Sequence, residues 1–255
     1  MESSSNSAPH TPSKVVRLSV NAPATRGELH DRLATRYDLA RQPLEIAGTR
    51  FTVTVVRDTN LLLDRISPEE YARQEGLPFW AELWSSSLEL ARWSLEGGVR
   101  RGLRVLELGC GVGLVGIAAA RAGGLVTMTD YEPDALEFAR LNVVENLRGE
   151  NLHGRVRVEA LDWRVPYRGE RYPLVMGSDI IYDRILFEPL LRLLDECLAP
   201  GGRAILAEPD RSIGHAFLAL APHAGFIVQT VAVPMVRQGR TITVMRTTLR
   251  RRVPS

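Results

Sequence analysis

The stretch Arg104-Val105-Leu106-Glu107-Leu108-Gly109-Cys110-Gly111-Val112-Gly113-Leu114-Val115-Gly116 decides the fold. Arg104 to Leu108 is a short, mostly apolar run that stops at glycines, as a buried strand does. The glycines make a turn whose backbone angles other residues rarely adopt, and whose bare main chain a ligand can touch. Ile117-Ala118-Ala119-Ala120 then reads as a helix. Strand, glycine turn and helix form the first unit of an open α/β sheet, where ligands sit beyond the carboxyl ends of the strands.

Two motifs fit the turn. Gly111, Gly113 and Gly116 match the dinucleotide spacing G-x-G-x-x-G. Gly109, Gly111 and Gly113, headed by Glu107, also resemble E-x-G-x-G-x-G, the first motif of class I S-adenosylmethionine (SAM) methyltransferases. Both readings expect an acid at the end of the next strand to accept hydrogen bonds from ribose hydroxyls. Leu125 to Thr129 ends in Asp130, followed by Tyr131. The glycines alone leave SAM, a nicotinamide or flavin cofactor, and a merely tight turn all open.

The later chain separates them. Pro133 suits the start of a helix that runs to about Asn146. Arg155 to Leu161 reads as a strand ending in Asp162-Trp163, an acid that can bond an adenine amino group beside an aromatic ring that can cover it. As a bare dipeptide the pair equally describes a loop acid and a packed tryptophan. Tyr172 to Gly177 is a strand leading into Ser178-Asp179-Ile180-Ile181-Tyr182, and Arg184 to Leu198 a helix. A strand at 203–209 and a helix at 212–223 follow. The chain closes with two strands, Phe226 to Val233 and Thr241 to Leu249, joined by residues 234–240. A terminal hairpin is foreign to the usual nicotinamide domain and matches the antiparallel last strand of class I methyltransferases, so SAM is the expected cofactor. The predicted fold is a doubly wound, mostly parallel, seven-stranded Rossmann-like α/β sheet with an antiparallel C-terminal hairpin and an N-terminal extension.

Residues 1–14 are Ser/Pro-rich, too poor in large apolar groups to offset their ordering entropy, and are expected to be a disordered tail. Residues 15–76 form the extension, and 77–255 the methyltransferase domain. In the extension, Leu29, Leu33 and Tyr37 predict a helix from Gly27 to Ala40, and 44–56 predicts a hairpin turning at Ala47-Gly48-Thr49. Ser67, Pro68 and Glu70 carry a helix-start signature. Ser85-Ser86-Ser87 is expected to cap a helix running from Leu88 to Glu96. Trp80 and Trp84, four apart before it, suit either core packing or an aromatic face across the site.

Composition sets bounds. The 255-residue chain carries a net charge of only +2, which excludes a broadly basic nucleic-acid-binding surface. Its one lysine is Lys14, and Arg250-Arg251-Arg252 reads as a solvated basic end. No signal peptide or membrane-length apolar run is seen. Cys110 and Cys197 lack metal-ligand spacing, so reduced thiols in a cytoplasmic protein, and no metal, are expected.

From about Pro78 to Leu249 the chain resembles class I methyltransferases, and within them methyltransferase family 16, a protein-lysine branch. The closer match lies in Pro78-Phe79-Trp80-Ala81-Glu82-Leu83-Trp84, the glycine turn, Asp162-Trp163 and a D-x-x-Y motif, Asp179 to Tyr182. The resemblance implies that Trp84 lines the SAM pocket and that Gly109, Gly111 and Gly113 pass beneath the methionine and ribose, supported by Glu107. It implies that Asp130, beside Tyr131, holds the ribose and that Asp162 and Trp163 hold adenine. Ser178 and Asp179 would lie where methyl group and acceptor meet, with Tyr182 bordering the acceptor channel; Asp179 and Tyr182 are the implied catalytic pair. Ile180-Ile181 replaces the two prolines of nucleic-acid amino-methyltransferases, which argues against a base as acceptor. The implied partner is a protein bearing a target lysine. A small-molecule N- or O-methyltransferase, a non-catalytic SAM-binding protein and a nicotinamide oxidoreductase are the alternatives, and a helix cap with a packed tyrosine is the structural alternative for Asp179 and Tyr182.

Overall fold

The computed structural model describes residues 25–64, 77–147, 155–237 and 239–252. The tail at 1–14 and the helix start at Ser67 lie outside them. Helix α1 (Arg26–Ala34) opens on a capping box in which Thr25 and Glu28 satisfy each other's backbone groups. It ends six residues before the expected Ala40, and Tyr37, beyond its end, packs its ring on Trp80 and Phe138 instead. Strands β1 (Leu39–Ile46) and β2 (Thr49–Val56) pair antiparallel, so the hairpin starts five residues earlier than its sequence pattern showed. Its turn places Ala47 at φ 47° and Gly48 at φ 71°, the left-handed pair that suits the twist of a two-residue hairpin. A short helix, α2 (Asn60–Leu63), follows.

The helix after the tryptophans, α3 (Ser85–Trp93), begins at the serines rather than being capped by them. Trp84 holds the cap position, and its carbonyl accepts from the Ser87 amide and hydroxyl. The chain leaves α3 through a wide turn, Ser94–Gly98. Alternation then sets in: β3 (Arg104–Leu108), α4 (Leu114–Arg121), β4 (Leu125–Asp130), α5 (Pro133–Asn146), β5 (Val156–Ala160), β6 (Tyr172–Ser178), α6 (Phe187–Cys197), β7 (Leu198–Pro209) and α7 (Ser212–Leu220). Strands β8 (Phe226–Arg237) and β9 (Arg240–Arg251) close the chain.

The seven-stranded sheet has the order β5-β4-β3-β6-β7-β9-β8, and β9 runs antiparallel to the other six strands. The order reverses between β3 and β6, so their carboxyl ends open the crevice in which such sheets bind ligands. Central β3 and β6 are almost continuously buried, as strands covered on both faces must be. One apolar cluster gathers α1, the hairpin, α3, α4 and α5; the other gathers α6 and α7. The last two strands are longer than predicted because β8 continues through Pro234, paired with Thr243, at the sheet edge where a missing N–H costs no ladder bond. Arg250 and Arg251 belong to β9 rather than to a tail, and Arg251 pairs with Asp195.

The extension is fastened to the sheet domain by two asparagines one turn apart on α5. Asn142 accepts from the Thr54 amide at 2.7 Å and donates to the Thr54 carbonyl at 2.9 Å. Asn146 does the same for Thr52, at 2.8 Å each way. These side chains satisfy the ladder groups that β2 leaves free. Asn142 also donates to the Val112 carbonyl at 2.9 Å, which ties the hairpin to the glycine turn.

Candidate active site

The glycine turn leaves β3 with Gly109, Gly111 and Gly113 at φ 62°, 50° and 90°. A Cβ on Gly111 would stand 3.0 Å from the Trp80 carbonyl, and one on Gly113 2.7 Å from Met128 Cε. Gly116, in the first turn of α4, makes the other close approach: a Cβ there would lie 2.3 Å from Glu107 Oε2. Glu107 is therefore packed under the turn. Burial drives its carboxyl well above the usual range, against the pull of the Gly116 amide. Its position fits support of the loop.

Asp130 ends β4 next to the turn. Its Oδ2 accepts from the Gly111 amide at 2.8 Å and its Oδ1 from the Glu132 amide at 3.0 Å. Burial raises its carboxyl, and these backbone donors oppose the rise. Each oxygen keeps a lone pair for a further donor such as a ribose hydroxyl. Tyr131 is 56% exposed, with the Arg164 guanidinium 4.5 Å from its ring centroid. Asp162 lies beyond β5 and is held by Arg164 through Nε at 2.8 Å and Nη2 at 2.9 Å. Burial works to raise Asp162, but the Arg164 bonds overcome it and keep the carboxyl below the ordinary range. Trp163 is buried against the glycine turn: its ring would lie 3.5 Å from a Cβ on Gly109, and its indole nitrogen has no partner.

The two tryptophans of the segment have different surroundings. Trp80 packs in the core, 5.4 Å from Phe138 between ring centroids. Trp84 is half-buried and donates to the Phe79 carbonyl at 2.8 Å. Phe79 in turn touches Tyr182, with ring centroids 5.2 Å apart. An aromatic wall, Trp84-Phe79-Tyr182, thus joins the segment before the sheet to the exit of β6. Burial and the nearby Asp130 push the Tyr182 phenol up to about 12, so it stays a hydrogen-bond donor.

At that exit Ser178 ends β6 and Asp179 stands at φ 53°, a conformation non-glycine residues seldom keep without a reason. The helix-cap reading of Asp179 is excluded, because Asp183 performs that task for the turn Arg184–Leu186, ahead of α6. The Asp179 side chain is 6% exposed. Its Oδ1 is bonded to Arg211, and its Oδ2 is buried with no hydrogen bond of ordinary geometry, although the Ser86 hydroxyl stands close enough to favour the ionised form. Burial still sets the net direction, which is upward. Ile180, the next residue, would lie 2.8 Å from a Cβ on Gly109, so the D-x-x-Y segment and the glycine turn are neighbours.

Two participants escaped the sequence reading. Glu208, near the end of β7, accepts from the Ile180 and Ile181 amides at 3.0 and 3.3 Å and so fixes the turn that carries Asp179. Arg211, two residues past β7, bridges Asp179 and Glu208. An acid at a strand's carboxyl end, Glu208, was the available signal.

The glycine cradle, the buried carboxylates and the aromatic wall fit a nucleoside joined to a charged sulfur chain. A family model for methyltransferase family 16, described as lysine methyltransferase, matches residues 75–219. The chain belongs to this family. Its cofactor is S-adenosylmethionine. A protein N-lysine methyltransferase METTL21A of Xenopus tropicalis is 40% identical over 114 residues, 44% of this chain and 52% of that protein. An electron transfer flavoprotein beta subunit lysine methyltransferase of Xenopus laevis is 30% identical over 196 residues, 67% of this chain and 75% of that protein. The METTL21A-like matches thus cover little more than half of those relatives' length. Among solved structures, the glycopeptide N-methyltransferase MtfA superposes with a TM-score of 0.53 at 16% identity, covering 64% of this chain and 90% of that one, which is a likeness of fold. Among the described residues no helix is long and apolar enough to cross a membrane.

Proposed function

We propose that this protein transfers the methyl group of S-adenosylmethionine to a lysine amine of a protein substrate. The observation that carries the reading is a buried carboxylate, Asp179, whose Oδ2 makes no hydrogen bond of ordinary geometry, beside the glycine cradle of a family-16 chain. The roles of individual residues are part of the proposal. Gly109, Gly111 and Gly113 admit the cofactor's methionine and ribose against bare backbone, Asp130 holds the ribose, and Glu107 braces the turn. Asp162, Trp163 and Tyr131 surround the adenine, with Arg164 sharing Asp162. Trp84 and Ser178 complete the pocket, and Tyr182 walls the acceptor channel. Bound SAM supplies a methyl group already activated on a sulfonium, so the chain's task is alignment and charge placement. Asp179 orients the amine and stabilises the positive charge growing on nitrogen.

A polypeptide acceptor is favoured by exposed apolar side chains around Tyr182, Phe79 packed on its ring at 38% and Ile185 three residues on at 72% exposure, which offer a protein partner a surface. The residues from 77 onward are read as the catalytic domain and 15–76 as an extension, of which the described residues 25–64 share its core. Buried, unpaired Cys110 and Cys197 support a cytoplasmic location. The test is incubation of purified protein with labelled SAM and a lysate of its host. A discrete labelled protein carrying methyl-lysine by mass spectrometry is expected. Label confined to small molecules would refute the protein-lysine reading in favour of a metabolite acceptor.

A further inference from the structure

The acceptor amine must lose a proton before it can attack. A lysine has a reference pKa of about 10.4, so only about a thousandth is neutral near pH 7, and a lone carboxylate beside it would lower that fraction further. The surroundings of Asp179 address this difficulty. The two oxygens of its carboxylate have different environments: Oδ1 is taken by the Arg211 guanidinium, while Oδ2 is buried and has no hydrogen bond of ordinary geometry. Arg211 also stands 3.7 Å from Glu208 Oε2, which is likewise buried without a hydrogen bond. Burial and the adjacent Asp179 raise the Glu208 carboxyl, against the pull of Arg211 and of the Ile180 and Ile181 amides. The Arg211 guanidinium thus lies between two buried carboxyls at the acceptor end of the site, bonded to Asp179 and farther from Glu208. Of the neighbouring charges, Glu89 pairs with Arg92 and Arg246, and Asp210 is hydrogen-bonded to the His215 ring at 2.7 Å. Ser86 is the remaining polar group against Asp179.

We propose that Arg211 is a positioning residue that neutralises Asp179 through Oδ1, so that Oδ2 still accepts a hydrogen bond from the amine while the pair no longer holds the acceptor in its ammonium form. This rests on the lysine-methyltransferase reading and adds the means of deprotonation. The ammonium gives its proton to water on entering the site. The neutral nitrogen then forms its bond to the methyl carbon as the carbon–sulfur bond breaks, yielding a methylammonium and S-adenosylhomocysteine. The guanidinium suits the task because it stays charged throughout the working range. Its side chain is 41% exposed, so its replacement leaves no cavity in the core.

The test uses n-butylamine, a lysine side chain without its backbone, titrated by calorimetry into the full-length protein saturated with S-adenosylhomocysteine. Wild type should bind it better as pH rises toward the amine's own pKa. Arg211→Met should bind it at least about tenfold more tightly at neutral pH, since close charge pairs couple by more than that factor, and should lose the rise with pH. Arg211→Lys should follow wild type. Equal affinity and equal pH dependence in wild type and Arg211→Met, or no binding to either, would overturn the inference. If butylamine behaves as expected but no protein in a host lysate is methylated on lysine, the charge pair stands and the protein-lysine reading fails. If Arg211→Met matches wild type but lysine methylation is found, only this inference fails.

Discussion

Asn142→Ala is the substitution whose cost can be worked out most fully. Asn142 is fully buried and makes three hydrogen bonds of 2.7 to 2.9 Å, to both backbone groups of Thr54 and to the Val112 carbonyl. Alanine strands one buried N–H and two buried carbonyls. A stranded buried group costs roughly 1–3 kcal/mol, and carbonyls with a second partner fall at the low end, so a loss of about 3–5 kcal/mol is expected. Asn146→Ala is the internal control. It removes a comparable pair of bonds to Thr52, but both residues are only half-buried and water can replace them, so about 1 kcal/mol is expected. Urea unfolding gives both values from midpoint shifts at unchanged slope. The Asn142 variant should also bind S-adenosylhomocysteine more weakly, because Val112 lies in the glycine turn. A loss below about 1 kcal/mol, or equal losses at both positions, would refute the claim that Asn142 fastens the hairpin to the site.

Two further substitutions probe the cradle. Gly113→Ala combines a φ of 90° with a Cβ 2.7 Å from Met128 Cε and 3.2 Å from the Ala139 backbone, and should cost roughly 2 kcal/mol or more, along with S-adenosylhomocysteine affinity by calorimetry. Glu107→Gln should flatten the dependence of stability on pH. Burial holds the folded carboxyl above its ordinary value of 4.5, so the folded state keeps a proton that the unfolded state has released. Wild-type stability therefore falls as pH rises from the ordinary value toward the folded one. A Glu107→Gln protein whose denaturation midpoint falls as steeply as wild type over that window would contradict this.

The glycine turn, Asp130 and the succession of strands and helices along the chain were legible because each rests on local pattern: an apolar run, a φ requirement, an acid at a strand end. The antiparallel last strand was legible as an interruption of alternation. Less was visible wherever a partner distant in sequence decides the outcome. Nothing around Asn142 announces that it will satisfy a hairpin residue 88 positions away. Strand β8 runs through Pro234 only because it ends up at the sheet edge, and position in the sheet is not a local property. The same holds for Arg211, which follows an ordinary strand end and matters because Asp179, 32 residues earlier, is folded beneath it. Ser85-Ser86-Ser87 looked like a cap, yet they form the first turn of α3, and Ser86 is buried against Asp179.

The most direct test of the account compares Asp179→Ala with wild type in two measurements on one preparation: S-adenosylhomocysteine affinity by calorimetry, and transfer of label from SAM to protein in a host lysate. Asp179 is assigned to the acceptor and not to the cofactor, so affinity should stay within about threefold while transfer falls by about a hundredfold or more, in line with loss of a charge-stabilising group. Full transfer by Asp179→Ala at unchanged affinity would contradict the central claim.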